Sequence, residues 1–258
     1  MRDMDSAVRK SLMNLCRSNG FTKKRNCFYR CTGDGLLQVI KIPANSIRSK
    51  SILREDTVYV GIFSLFSEIN WIHSEAIRLL VQADLPITAS MENMFSDTRE
   101  FGFGHGKNYV SILEKGIAGL SEIQTHAQMA CFLEEKDRRE LSSLRWNDSS
   151  KIVPYLLSGH PESAIRCIDA IEQQNWAAYS ANLKIPSYDQ EKQKKRIEES
   201  LNPLITLREQ IRRRDGDGIR KYLREQYSSN ADKLRGMGIP APELDIADVL
   251  QTMGELWR

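Results

Sequence analysis

Residue types able to do chemistry are few in this chain, and they are scattered. His105 sits in Phe101-Gly102-Phe103-Gly104-His105-Gly106-Lys107, where three alternating glycines flank a histidine and a lysine. Backbone amides of such a segment, together with Lys107, could cradle a phosphate. The spacing is neither GxxxxGK[ST] nor GxGxxG, and no strand-loop-helix context accompanies it, so a glycine-rich strand or hairpin is the better reading. Gly102, Gly104, His105, Gly106 and Lys107 form the candidate functional loop, and an enzyme using His105 would need a partner supplied by the fold, such as Cys27 or an acid from residues 84–100. Glu122 and His126 stand four residues apart and would share one helix face as a surface pair. Cys27 and Cys31 fall on the same side of an extended segment, but no second pair completes a zinc-type site. The five cysteines read as thiols of a reducing cytoplasm. Asp215-Gly216-Asp217-Gly218 lacks the ligand series of a calcium loop and reads as a helix end and turn. No catalytic residue, metal or cofactor is assigned.

Cations offer a second kind of chemistry. Residues 1–54 hold twelve Lys and Arg against three Asp and Glu, residues 55–150 hold eight against fifteen, and residues 151–258 hold seventeen against sixteen. Lys23, Lys24 and Arg25, with Arg48, Lys50 and Arg54 in a polar stretch at 43–55, make the candidate surface for an anionic partner. Tyr29 nearby could stack a base. The same cations could instead face the acidic middle of their own chain.

The elements that must position these residues are clearest at the start. Met4, Ala7, Val8, Leu12, Leu15 and Cys16 recur at helical spacing, and Arg17 and Gly20 suit the end of such a helix. A basic run at 23–25 leads to the β-prone Cys27-Phe28-Tyr29-Arg30-Cys31. The turn Thr32-Gly33-Asp34-Gly35 follows, then a second strand over 36–42, which Pro43 stops. Residues 57–63 are a third strand. A helix with three strands predicts an α+β unit, the helix covering one face of a small antiparallel sheet.

Gly20-Phe21 with its basic followers, Phe28-Tyr29-Arg30, the hairpin to Gln38-Val39 and the strand ending at Gly61 resemble the DUF4304 family of uncharacterised bacterial proteins. Where that family runs through a glutamine into a serine-bearing loop, this chain has Ile40-Lys41-Ile42-Pro43. The resemblance covers the first 60 to 70 residues and more loosely the first 145. It implies a fold rather than a reaction, and it suggests an accessory role in immunity or defence.

From residue 108 helical periodicity takes over, running through Tyr109, Ile112, Leu113, Ile117, Leu120, Ile123 and Ala127 and on to Leu133. Turn residues cluster at 146–150, which divides the chain into an α+β domain at 1–147 and an all-helical region at 148–258. In that region a short helix reaches Leu157, Pro161 opens the next, and Pro203 interrupts a charged third. Further helices follow at 219–227 and from Pro240 or Pro242 to Trp257.

At 258 residues with 41% hydrophobic and 28% charged residues, the chain is long enough for a substantial core. No apolar run approaches the roughly 20 residues that cross a bilayer, and the acidic start is unlike a secretory signal. The reading is a cytoplasmic, non-catalytic interaction or adaptor protein with a protein partner. Weak nucleic-acid binding and a His105 enzyme are the alternatives.

Overall fold

The computed structural model describes residues 6–25, 27–42, 59–67, 107–138, 149–183 and 189–244. Four strands form one antiparallel sheet in chain order: β1 (Thr22–Lys24), β2 (Cys27–Cys31), β3 (Leu36–Lys41) and β4 (Tyr59–Ser64). Lys23 and Lys24, read from sequence as a basic turn, are an edge strand. Three residues suffice because they pair with Cys27–Tyr29 of β2. Arg30 of β2 stands opposite Gln38 of β3, and Leu36 of β3 opposite Ser64 of β4.

The sheet is buried on both faces. Leu36, Ile40 and Ile42 alternate with Leu37 and Val39, and period two sends the sets to opposite sides. The first set, with Phe28 and Ile62, packs under α1 (Ser6–Ser18) and α2 (Lys107–Glu122) through Leu12, Cys16, Leu113, Ile117 and Leu120. The second, with Tyr29, Leu65 and Phe66, meets the helices that follow. A helix on one face only was the expectation. Two covered faces explain why β3 reads as a nearly unbroken apolar run.

The later helices are α3 (His126–Arg138), α4 (Ser149–Leu157), α5 (Pro161–Asn182), α6 (Gln190–Arg212) and α7 (Gly216–Gly236). Each packs on the next, and α4 also touches β4. Pro161 starts α5 as expected, whereas Pro203 lies exposed inside α6 without ending it. Buried Asn230 of α7 donates from Nδ2 to the carbonyls of Leu65 and Ser67, both at 2.8 Å, so the last helix grips the exit of β4. The architecture is α+β with a mostly helical C-terminal region. The expected boundary at 147/148 falls within residues 139–148, which are outside the described residues; of the helix expected from Pro240 or Pro242 to Trp257, residues 240–244 are not helical and the rest lies outside the described residues.

Candidate functional site

The sequence-read candidates are only partly placed. Gly102, Gly104, His105 and Gly106 lie outside the described residues, and so do Arg48, Lys50 and Arg54. Lys107 is the first residue of α2. Lys23, Lys24 and Arg25 are exposed on β1 and its turn into β2.

The proposed Glu122–His126 helix pair does not form, because α2 ends at Glu122 and α3 begins at His126. The break is a capping box. Thr125 Oγ1 accepts from the Gln128 N–H (3.2 Å), and Gln128 Oε1 accepts from the N–H groups of Thr125 (3.1 Å) and Gln124 (2.8 Å). His126 turns instead into the core. Its Nδ1 donates to Asp34 Oδ2 at 2.8 Å, and its backbone N–H donates to the same oxygen at 2.6 Å. A carboxylate only accepts, so Nδ1 carries a proton, and in the neutral ring Nε2 accepts from the Ser64 hydroxyl at 2.8 Å. Ser64 Oγ also accepts from the Phe66 N–H at 3.2 Å, and the Phe66 ring meets His126 edge-on.

Sequence reading missed this Asp34–His126–Ser64 chain because its members are separated by 92 and 62 positions. The one local signal was Thr125-x-x-Gln128, which marks a helix start at His126 and places Asp34 at a positive helix end.

In atom order this is the arrangement of a serine hydrolase, but the accessibility runs the wrong way. A nucleophile has to meet substrate while its orienting acid is buried. Here Ser64 is 2% exposed, His126 3% and Asp34 34%. The amides of Leu65 and Phe66, the nearest candidates for an oxyanion site, are spent on Gly35 O and Ser64 Oγ. The chain of bonds therefore ties the β2–β3 turn, the end of β4 and the start of α3 together.

Burial of Asp34 raises its carboxyl pKa, but the His126 ring, its charge and its backbone N–H outweigh this and hold Asp34 below the usual carboxylate value. A carboxyl depressed in the folded state adds stability above its unfolded pKa, and that stability is lost as pH falls through the folded value. Stability should therefore decline as pH drops below about 4, and Asp34→Asn should lessen this dependence. Urea midpoints across an acid pH series test it; equal slopes for both proteins would remove Asp34 from the account.

A second buried polar junction lies on the same sheet face as Ser64, beneath α2. Arg30 Nε donates to Gln38 Oε1 at 2.7 Å, and Gln38 Nε2 donates to the carbonyls of Leu120 (2.7 Å) and Ile123 (3.1 Å) at the end of α2. Arg30 also donates to Asn19 O at 2.9 Å and lies over the Phe21 ring at 4.4 Å. This cation serves two helix C-termini and is spent internally.

The remaining cations of the N-terminal unit face outwards. Residues 6–33 contain seven Lys and Arg and not one Asp or Glu. Lys10 and Arg17 are exposed on the solvent side of α1 at i and i+7. Lys23 Nζ reaches Met13 Sδ at 3.5 Å, which brings Lys23, Lys24 and Arg25 beside that helix. Lys10, Arg17, Lys24 and Arg25 have no ion-pair partner among the described residues. Tyr29 cannot stack a base: it is 2% exposed, and burial pushes its hydroxyl pKa well up.

Cys16 and Cys31 are equally unsuited to thiolate chemistry, burial raising them to about 12 and about 11. Among the described residues no group of three His, Cys, Asp or Glu could hold a metal, and no helix is long and apolar enough to cross a membrane. No family model matches the chain, and neither the curated proteins nor the solved structures contain a match.

Proposed function

We propose that this is a non-catalytic interaction protein that binds an acidic protein partner through the cationic face of α1 and the β1–β2 turn. One observation carries the reading: an acid-free stretch of 28 residues, 6–33, presents Lys10, Arg17, Lys23, Lys24 and Arg25 to solvent on a rigid helix and hairpin. Unpaired cations of one sign steer an oppositely charged surface and raise its rate of encounter. With Phe21, Phe28 and Tyr29 all buried, the face offers charge without stacking platforms, which favours carboxylates over unpaired bases.

The test is capture from nuclease-treated lysate of the source cells, comparing the native chain with one carrying Glu at positions 10, 17, 23, 24 and 25. A stoichiometric protein held at low salt, released at high salt and lost on charge reversal is expected. Material that disappears with nuclease would move the reading to nucleic acid, and a partner indifferent to the reversal would refute this face.

A further inference from the structure

Among the described residues, four helix ends close by the same backbone device. The N–H of the second residue past the cap returns to a carbonyl five residues back, and the residue before it takes a left-handed conformation. At α1 the bonds are Phe21 N to Cys16 O and Gly20 N to Arg17 O, at α4 His160 N to Tyr155 O and Gly159 N to Leu156 O. At α7 they are Ile239 N to Leu234 O and Gly238 N to Arg235 O. Glycine holds the left-handed position in all three, with φ of 79°, 82° and 71°. At α6 the bonds are Asp215 N to Gln210 O and Arg214 N to Ile211 O, and the left-handed residue is Arg214, φ 54°. Its Cβ is disfavoured there, and glycine would sit more easily.

The residue at that disfavoured position is one of several exposed cations in the α6–α7 turn and the first half of α7. Arg213 and Arg214 are exposed at the turn, and Lys221 and Arg224 are exposed on α7 three residues apart. Neighbouring Arg212 and Arg220 are paired, to Glu209 at 3.0 Å and to Asp217. The other four have no ion-pair partner among the described residues. Arg25, the other non-glycine residue with positive φ among the described residues, is also an exposed arginine ending a basic triplet. In both places a cation stands where local backbone preference asks for glycine.

We propose that the α6–α7 turn is a second docking surface for an acidic protein, formed by Arg213, Arg214, Lys221 and Arg224 and independent of the N-terminal face. Arginine forks match carboxylates in paired hydrogen bonds. Phosphate fits this place less well. Asp215 accepts from Gly218 N at 3.0 Å and so fills the helix N-terminus that would draw an anion, and Asp217 is 91% exposed beside it. A protein surface of mixed charge accommodates those two carboxylates, whereas a phosphate backbone is repelled.

The experiment measures binding of the full chain to poly-L-glutamate and to a short DNA duplex at matched ionic strength. The variants are Arg214→Gly, the set Arg213→Ala, Arg214→Gly, Lys221→Ala and Arg224→Ala, and a separate N-terminal set with Ala at 10, 17, 23, 24 and 25. Arg214→Gly should melt at the same or a higher temperature, because glycine suits the left-handed site, yet release poly-L-glutamate at lower salt. The fourfold variant should lose about tenfold in affinity, as four exposed pairs each worth a few tenths of a kcal/mol would give. The loss should persist in the N-terminal background, which separates this surface from the first.

Unchanged binding by the fourfold variant, or a lower melting temperature for Arg214→Gly, would overturn the proposal. Tighter binding to duplex than to poly-L-glutamate would overturn its choice of partner.

Discussion

Replacing His126 by alanine should cost about 3–5 kcal/mol of folding stability, as a lower urea midpoint with unchanged slope. Among the described residues the imidazole joins Asp34 to Ser64, and it sits 3% exposed between sheet and helix. Its removal strips buried Ser64 Oγ of its acceptor, a loss of about 1–3 kcal/mol, and takes the ring donor from Asp34, which keeps the backbone N–H. A cavity beside Phe66 adds to that, since the ring makes an edge-on contact there. His126→Asn keeps a donor near the Nδ1 position and His126→Gln an acceptor near Nε2, so each should recover part of the loss. A cost under about 1 kcal/mol for His126→Ala would show that the polar chain does not hold these elements together.

Gly35→Ala should cost about 2–4 kcal/mol, from two effects that act together. Gly35 has φ of +80°, a conformation in which any Cβ crowds the following carbonyl. A Cβ there would also stand 2.8 Å from Phe66 Cε2 and 2.9 Å from Leu244 Cδ1. Phe66 is not free to retreat, for its ring lies against His126 on one side and Tyr227 on the other. Tyr227 in turn is tied by its hydroxyl to the Pro242 carbonyl. Gly33, two residues away, has nothing within 4 Å of its Cβ position and no positive φ, so Gly33→Ala is the matched control. Thermal melts of the pair measure the difference. Equal melting temperatures would mean that the turn and the Leu244 segment give way without cost.

Local pattern carried much of the N-terminal unit. The stripe through Leu12 and Cys16, the turn at 32–35 and the alternation of Leu36, Gln38 and Ile40 against Leu37 and Val39 are all legible. They depend on helical or strand period within a few residues, which neighbouring structure does not alter. The glycine stop at Gly20 belongs to the same class. Strand β1 was not legible, because three polar and basic residues become a strand only when β2 supplies the partner edge.

The polar interior needed the tertiary structure. Gln38 reads as one more polar position in a strand until α2 delivers the carbonyls of Leu120 and Ile123 to it. His126 reads as a surface partner for Glu122 until the Thr125–Gln128 capping box turns the chain and points the ring at Asp34. The two cationic surfaces divide the same way. Composition showed where the charge lies. Only packing decided that Arg30 is spent on Asn19 and Gln38, that Tyr29 is sealed in the core, and that Arg214 stands in a conformation glycine would normally hold. Residue type determines which charges and periods exist. Which of them meet each other and which are left facing water depends on contacts dozens of residues apart, and those are set by the closure of the whole chain.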